Sequence, residues 1–165
     1  MARIVVLGCA GSGKSRLARR IGARGGLDVI SLDEIWQPNW DNGMTPAFRE
    51  TLKRLHAGDA WVSDGNFAAV SFDIRLPRAT HIVWLECPRR LCVWRATRRA
   101  LGGDRVHRLR KLPQVLRYIR NFDRINRPLI ESFRMKHGPD VPVVRLADRG
   151  EIELFLSGLL SLEGA

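Results

Sequence analysis

The feature that most constrains the fold is an eight-residue loop close to the N terminus. Residues Gly8–Ser15 read Gly-Cys-Ala-Gly-Ser-Gly-Lys-Ser and match the pattern G-x-x-x-x-G-K-[ST]. The β-branched run Ala2–Leu7 predicts a buried parallel strand before the loop, and a helix is expected to begin at Lys14. An ordinary glycine-rich turn is the alternative, but a chance match in so short a chain has a frequency on the order of one in a hundred. The loop therefore predicts a phosphate-binding site between a strand and a helix.

The residue types in this loop suit a nucleoside triphosphate. Glycines let successive backbone N–H groups point at phosphate oxygens, and the following helix adds its positive end. We expect Lys14 to reach the β- and γ-phosphates and the Ser15 hydroxyl to ligate Mg²⁺. The predicted ATP-binding residues are Gly8, Cys9, Ala10, Gly11, Ser12, Gly13, Lys14, Ser15 and Arg16. The predicted cofactors are ATP and Mg²⁺.

Strands and helices are predicted to alternate along all 165 residues. Four further strands are expected at Asp28–Leu32, Ala60–Ser63, Thr80–Leu85 and Val141–Leu146. Helices are expected from Lys14, from Pro46 to about Gly58, from Pro88 to about Leu101, from Val115 with a kink or split at Pro128, and over Ile152–Leu160. This alternation predicts a three-layer α/β fold, a parallel sheet with helices on both faces, and the length predicts one domain over residues 1–165.

Two aspartates come directly after predicted strands, where ligands bind in open α/β sheets. Asp64 follows the apolar pair Trp61-Val62 and is placed to complete a magnesium shell, directly or through water. Asp33 follows the second strand and is placed to accept a proton from, or to orient, an acceptor hydroxyl. The alternative for either residue is that it caps the next helix. Beside a phosphate loop, we interpret Asp64 as a metal ligand and Asp33 as a catalytic and acceptor-binding residue.

Residues in the loops after these strands are candidates for an acceptor pocket. Trp36 is placed to stack on a ring and Arg75 to pair with an anion, while plain packing is the alternative for the tryptophan. Arg127, next to Pro128, is a further candidate. The full set of pocket candidates is Asp33, Trp36, Trp40, Asn66, Phe67, Arg75 and Arg127.

The formal net charge of +11 is concentrated in the second half of the chain, where Arg95 to Lys136 holds thirteen Lys or Arg against three acids. Arg95, Arg98 and Arg99 lie at i, i+3 and i+4, so one helix face presents three guanidinium groups. Arginines that close over a transferring phosphoryl group stabilise its transition state, and we predict this catalytic role for the three. A solvated basic face is the alternative.

Apolar stretches, the N-terminal segment and the cysteines bear on the cellular compartment of the protein. No apolar stretch approaches the roughly 20 residues that a membrane span requires, and no secretion signal is expected before the first strand. The three cysteines lack the paired spacing of a zinc site, and the four histidines show no metal or triad spacing. These observations predict a cytoplasmic protein with reduced thiols.

The motifs together resemble an adenylate-kinase-related family often labelled "DNA topology modulation protein", and the likeness covers nearly the whole chain. After the phosphate loop, the block Trp61-Val62-Ser63-Asp64-Gly65-Asn66-Phe67 is the most diagnostic. The other matching segments are Leu32-Asp33, Asp73-Ile74-Arg75-Leu76, Trp84-Leu85-Glu86-Cys87-Pro88-Arg89 and Arg127-Pro128.

This resemblance implies a P-loop fold of the nucleoside- and nucleotide-kinase type with five parallel strands in the order 2-3-1-4-5. It also implies a mobile lid after the fourth strand, here basic and at about residues 95–114. Adenine is implied to pack near the last strand–helix loop, Ala147 to Arg149.

The resulting hypothesis is an enzyme, a P-loop kinase that transfers a phosphoryl group from ATP to a small-molecule acceptor. The rival is a nucleic-acid-associated protein that binds a nucleoside triphosphate, which the +11 charge would suit, or a kinase that acts on oligonucleotide ends. Against the rival, aromatic residues such as Tyr118 and Phe122 are sparse among the basic residues.

Overall fold

The computed structural model describes residues 1–36, 46–102 and 105–159. Its centre is a parallel sheet of five strands in the order β2-β3-β1-β4-β5. The strands are β1 (Arg3–Gly8), β2 (Asp28–Ser31), β3 (Trp61–Asp64), β4 (His81–Leu85) and β5 (Val143–Leu146). This is the order that the family resemblance implies, and it brings the carboxyl ends of all five strands to one edge of the sheet.

Eight α-helices connect or follow these strands in the described part of the chain. They are α1 (Lys14–Arg24), α2 (Leu32–Ile35), α3 (Pro46–Leu55), α4 (Ala68–Arg75), α5 (Arg89–Leu101), α6 (Arg105–Asn121), α7 (Arg127–His137) and α8 (Arg149–Leu159). A 3₁₀ turn, Leu76–Arg78, precedes β4, and a π-helical turn, Phe122–Asn126, joins α6 to α7. The predicted split at Pro128 is confirmed, because this proline stands in the first turn of α7, where its missing N–H costs least.

The two faces of the sheet bury different helices, as the alternating direction of strand side chains requires. On one face, Ile4 and Val6 of β1 pack with residues of α1 and α8. On the other face, Val5 and Leu7 pack with residues of α3 through α7. The expected three-layer arrangement is therefore confirmed, with the carboxyl edge of the sheet left open between the layers.

Three elements differ from the sequence-based expectation. Helix α4 was not expected, and α2 begins directly after β2. Helix α6 begins at Arg105, ten residues before the expected Val115, with Pro113 inside it. Proline removes one helical hydrogen bond, to the carbonyl of Leu109, and Leu109 lies in an exposed stretch where water can take that bond.

The segment that the resemblance implies to be a lid, residues 95–114, is helical where it belongs to α5 and α6. Residues 103 and 104 lie outside the described residues, and the mobility of the segment stays a prediction. Within the described ranges, no helix combines the length and the apolar character needed to cross a membrane.

Candidate active site

The phosphate loop has the backbone that its glycines predict. Gly11 and Gly13 have φ angles of +78° and +103°, values that favour glycine. A Cβ atom on Gly11 would lie 2.5 Å from the backbone oxygen of Cys92, so the loop packs directly against α5. Helix α1 begins at Lys14, so the last two residues of the loop form its first turn and its N-terminal end faces the glycines of the loop.

Contacts from three directions brace this loop. The Ser12 N–H donates to the Cys9 carbonyl at 3.1 Å, and the Lys14 ammonium donates to the same carbonyl at 3.4 Å. From α5, Arg95 donates through Nη1 to the Ser12 carbonyl at 3.0 Å. The side-chain amide of Asn66 holds the N–H and the carbonyl of Gly8, at 3.2 and 2.9 Å. The loop is thus held in shape by side chains from outside it.

Asp64, the last residue of β3, is the most unusual acid in the described structure. Its residue surface is only 1% exposed, and neither carboxylate oxygen has a hydrogen-bond partner among the described residues. A buried carboxylate without donors is costly, and a cation is the partner that such oxygens accept. The register pairs Asp64 with Val6, two residues before the phosphate loop. This chemistry fits a Mg²⁺ ion that also uses the Ser15 hydroxyl and phosphate oxygens, because Mg²⁺ in nucleotide sites uses one or two carboxylates.

Asp33 lies in α2, at the same edge of the sheet, and lines a cavity of about 620 Å³. Its side chain is open to that cavity, yet the protein around it partly desolvates the carboxylate, and this raises its pKa above the usual value. Lys14 opposes the rise and Asp64 adds to it, so both are close enough to act on the Asp33 charge. The position fits a group that accepts a proton or orients a hydroxyl.

The cavity brings residues of the phosphate loop, α1, α2, α5 and α6 together. Five of its lining residues are cationic and one is acidic, which suits an anionic ligand such as a nucleoside triphosphate. The lining residues are Ala10, Gly11, Gly13, Lys14, Ser15, Arg16, Arg19, Asp33, Ala96, Arg99, Ala100, Lys111, Leu112 and Val115. Among the described residues, no group of three or more His, Cys, Asp or Glu side chains could hold a metal by itself.

The three arginines of α5 do not share one position. Arg99 lines the cavity. Arg95 braces the phosphate loop and also lies 3.6 Å from the Cys87 sulfur. The Arg98 guanidinium stacks over the exposed ring of Trp94, 5.3 Å from its centroid, and does not line the cavity. The expectation of one shared arginine face over the phosphate therefore fits Arg99 best.

Two predicted acceptor-binding residues are committed to other contacts. Arg75 is fully buried, 0% exposed, and donates to the Ser63 hydroxyl and to the carbonyls of Gly65 and Asn66, so it does not face an open pocket. Burial lowers the pKa of Arg75 to about 9, and Asp64 opposes this shift, so the guanidinium stays charged at neutral pH. The amide of Asn66 is used by Gly8 and by Tyr118. Both residues support the site from behind.

The remaining candidates lie beside the cavity. Trp36 is half-buried and packs edge-on against Phe48, with ring centroids 5.6 Å apart, and against Phe67 at 5.9 Å. Arg127 forms an ion pair with Glu86 and stacks over the Trp84 ring, so its charge is already partnered. Trp40 lies outside the described residues.

Sequence reasoning missed six cavity residues, Arg19, Ala96, Ala100, Lys111, Leu112 and Val115. Helical spacing carries a usable signal for them. Arg19 is three residues after Arg16 on α1, and Val115 is four residues after Lys111 on α6, so each pair shares a helix face. The bond between Asn66 and Gly8 had no local signal, because 58 positions separate the two residues.

Solved structures match this fold over nearly the whole chain. Shikimate kinase from Bacteroides thetaiotaomicron has a TM-score of 0.58 and 18% identity, with 99% of each chain covered. Shikimate kinase from Acinetobacter baumannii, in complex with shikimate, has a TM-score of 0.60 and 19% identity, over 99% of this chain and 93% of that one. A gluconokinase from Sinorhizobium meliloti 1021 has a TM-score of 0.56 and 19% identity, over 98% and 93%.

The chain has the P-loop kinase fold. At these identities the likeness concerns the fold alone, and the narrower label "DNA topology modulation protein" stays a prediction. No protein-family model matches the chain, and no curated protein matches it.

Proposed function

We propose that this chain is a kinase that uses ATP and Mg²⁺ to phosphorylate a small molecule. The observation that carries the proposal is the buried carboxylate of Asp64, whose two oxygens have no hydrogen-bond partner among the described residues, at the strand end beside a complete phosphate loop. The buried Arg75 is close enough for its charge to act on Asp64, but its hydrogen bonds go to Ser63, Gly65 and Asn66, so both carboxylate oxygens stay available to nucleotide-bound Mg²⁺. Bound Mg²⁺ would supply neutralisation of the charge on the β- and γ-phosphate oxygens.

Residues of the chain divide the remaining work. Backbone N–H groups of the loop and the Lys14 ammonium would bind the phosphates, and Arg99 of α5 and Lys111 of α6 would add positive charge from the cavity lining. Asp33 would orient the acceptor hydroxyl and take its proton. The raised pKa makes its carboxylate a stronger base than an ordinary aspartate. Arg98 and Arg127 have other partners in the structure and take no part in this proposal.

The test is turnover of Mg-ATP in the presence of an acceptor panel. Shikimate enters the panel because a neighbour binds it, and nucleosides, nucleotides, sugar acids and small alcohols complete it. Short oligonucleotides are included because of the +11 charge. We expect one acceptor class to stimulate ADP release, with Lys14→Ala lowering kcat/KM by about 100-fold or more.

The matched control is Lys53→Ala, which removes an exposed lysine of α3 whose ammonium lies 4.0 Å from Glu50. It should leave turnover unchanged. Equal ATP consumption by wild type and Lys14→Ala would contradict the proposal, as would turnover that is independent of Mg²⁺.

A further inference from the structure

The turn after β3 uses a side chain to continue the pairing of two strands. Strands β1 and β3 pair up to Val6 and Asp64, and the Gly65 N–H donates to the Val6 carbonyl at 3.4 Å. At the next step, the Asn66 amide oxygen accepts the Gly8 N–H and its amide nitrogen donates to the Gly8 carbonyl. The side-chain amide thus stands where a backbone peptide group of β3 would otherwise pair, and it holds the first residue of the phosphate loop.

The same amide also reaches a wall of the cavity. Its nitrogen donates to the Tyr118 hydroxyl at 2.7 Å, so the oxygen and both amide hydrogens of Asn66 have partners. Burial raises the pKa of Tyr118 to about 12, so the phenol keeps its proton at physiological pH. Tyr118 belongs to α6, and Leu112 and Val115 of the same helix line the cavity. One side chain therefore joins β3, the phosphate loop and α6.

The turn that carries Asn66 is held by hydrogen bonds from a buried arginine. Arg75 donates through Nη2 to the carbonyls of Gly65 and Asn66, at 2.9 and 3.0 Å. Phe67, directly after Asn66, has a φ angle of +25°. No other non-glycine residue in the described ranges has a positive φ angle. Such strained backbone persists where surrounding contacts over-determine it, and it is concentrated at functional sites.

We propose that Asn66 is a positioning residue for phosphoryl transfer, which fixes the phosphate loop relative to Asp64 and to the cavity wall formed by α6. The inference deepens the proposed function and rests on it for the identity of the ligand. Loss of the Asn66 side-chain amide should shift Lys14 and the backbone N–H groups of the phosphate loop relative to Asp64. Misplacement of reacting groups by about 1 Å can lower a rate on the order of 100-fold. If Asn66 served folding alone, its replacement would lower the melting temperature, but the folded molecules would keep the wild-type Kd and kcat.

The experiment compares Asn66→Ala, Tyr118→Phe and the control Asn121→Ala, which removes an amide of α6 whose oxygen accepts a hydrogen bond from Arg124. Calorimetric titration gives the Kd for Mg-ADP, and initial rates give kcat and KM, both at a temperature where circular dichroism shows every variant folded. For Asn66→Ala we expect Kd to rise about tenfold and kcat to fall by at least that factor. For Tyr118→Phe, which keeps both bonds to Gly8, we expect an unchanged Kd and a kcat about threefold lower. Asn121→Ala should match wild type.

The binding measurement separates this inference from the proposed function. Wild type that binds Mg-ADP but phosphorylates no acceptor would remove the proposed function, while a weaker Kd in Asn66→Ala would still support the positioning role. A wild-type Kd in Asn66→Ala, with only its melting temperature lowered, overturns the inference, as does the absence of Mg-ADP binding to wild type. If Asn66→Ala does not fold, a Tyr118→Phe variant with wild-type kcat overturns the link to α6.

Discussion

At the scale of single residues, Asp33 lies in surroundings that favour the protonated form of its carboxyl group. Desolvation raises the pKa of its carboxyl group in the folded state, and Asp64 adds to that rise. The native state therefore binds a proton more readily than the unfolded chain does, so this group contributes less to stability as pH rises through its folded pKa. A raised carboxyl pKa beside a phosphate loop supports the catalytic role that we propose for Asp33.

The change Asp33→Asn should raise the stability of the protein and lower its activity. We expect the variant to melt at a higher temperature than wild type at pH 8, with a difference that shrinks toward pH 4, because wild type then loses the unfavourable charge. Its kcat should fall by about 100-fold or more, since an amide accepts no proton. Calorimetric melts across this pH range and initial rates give both quantities. The control Asp28→Asn makes the same change at an exposed position of β2, and equal behaviour of the two variants would contradict the prediction.

At the scale of elements, one glycine sets the distance between α1 and the sheet. Gly22 is buried in α1, and a Cβ atom there would lie 2.4 Å from Val29 Cγ2 and 3.0 Å from the Leu27 carbonyl oxygen. Overpacking of this kind costs about 1–3 kcal/mol, so Gly22→Ala should destabilise the fold by that amount in urea titrations.

The matched control is Gly158, the glycine near the C-terminal end of α8. A Cβ atom on Gly158 would meet nothing within 4 Å among the described residues, so the same substitution relieves only the entropic cost of glycine in a helix. Gly158→Ala should stabilise the protein by about 0.5–1 kcal/mol. A stabilising Gly22→Ala would show that α1 can move away from β2 without cost.

Elements with local signals could be predicted, and those that depend on distant partners could not. The β-branched run of β1 and the glycines after it mark the phosphate loop within one segment, and Asp64 follows its strand directly. Helix α4 was missed because two of its five buried side chains, Ser71 and Arg75, are polar and hide the amphipathic pattern. The sequence-based assignment of Arg75 to a pocket has a different cause. The hydroxyl and carbonyl groups that accept its hydrogen bonds come close to it only in the folded chain.

At the scale of the whole molecule, the +11 charge makes the fold sensitive to acid. Ion pairs offset part of this charge, and the guanidinium groups of Arg49 and Arg89 lower the pKa values of Asp73 and Asp123. Protonation of such carboxylates removes the pairing and adds further positive charge.

The buried His56 also makes the folded state less stable in acid. Its Nδ1–H donates to the Leu52 carbonyl at 2.8 Å, its Nε2 accepts the Ser63 hydroxyl at 2.9 Å, and burial lowers its pKa to about 4.

Because His56 is neutral in the folded state, its contribution to stability is complete above pH 6.5 and is lost as pH falls toward 4, where the unfolded chain alone binds the proton. A pKa difference of this size corresponds to roughly 3 kcal/mol. Urea titrations at pH 7, 5.5 and 4 should show wild type losing that much more stability than His56→Gln, which cannot be protonated. The control His81→Gln, at the half-buried start of β4, should follow wild type. If wild type and His56→Gln lose stability equally between pH 7 and 4, the acid sensitivity belongs to the carboxylates and the net charge, and His56 has no part in it.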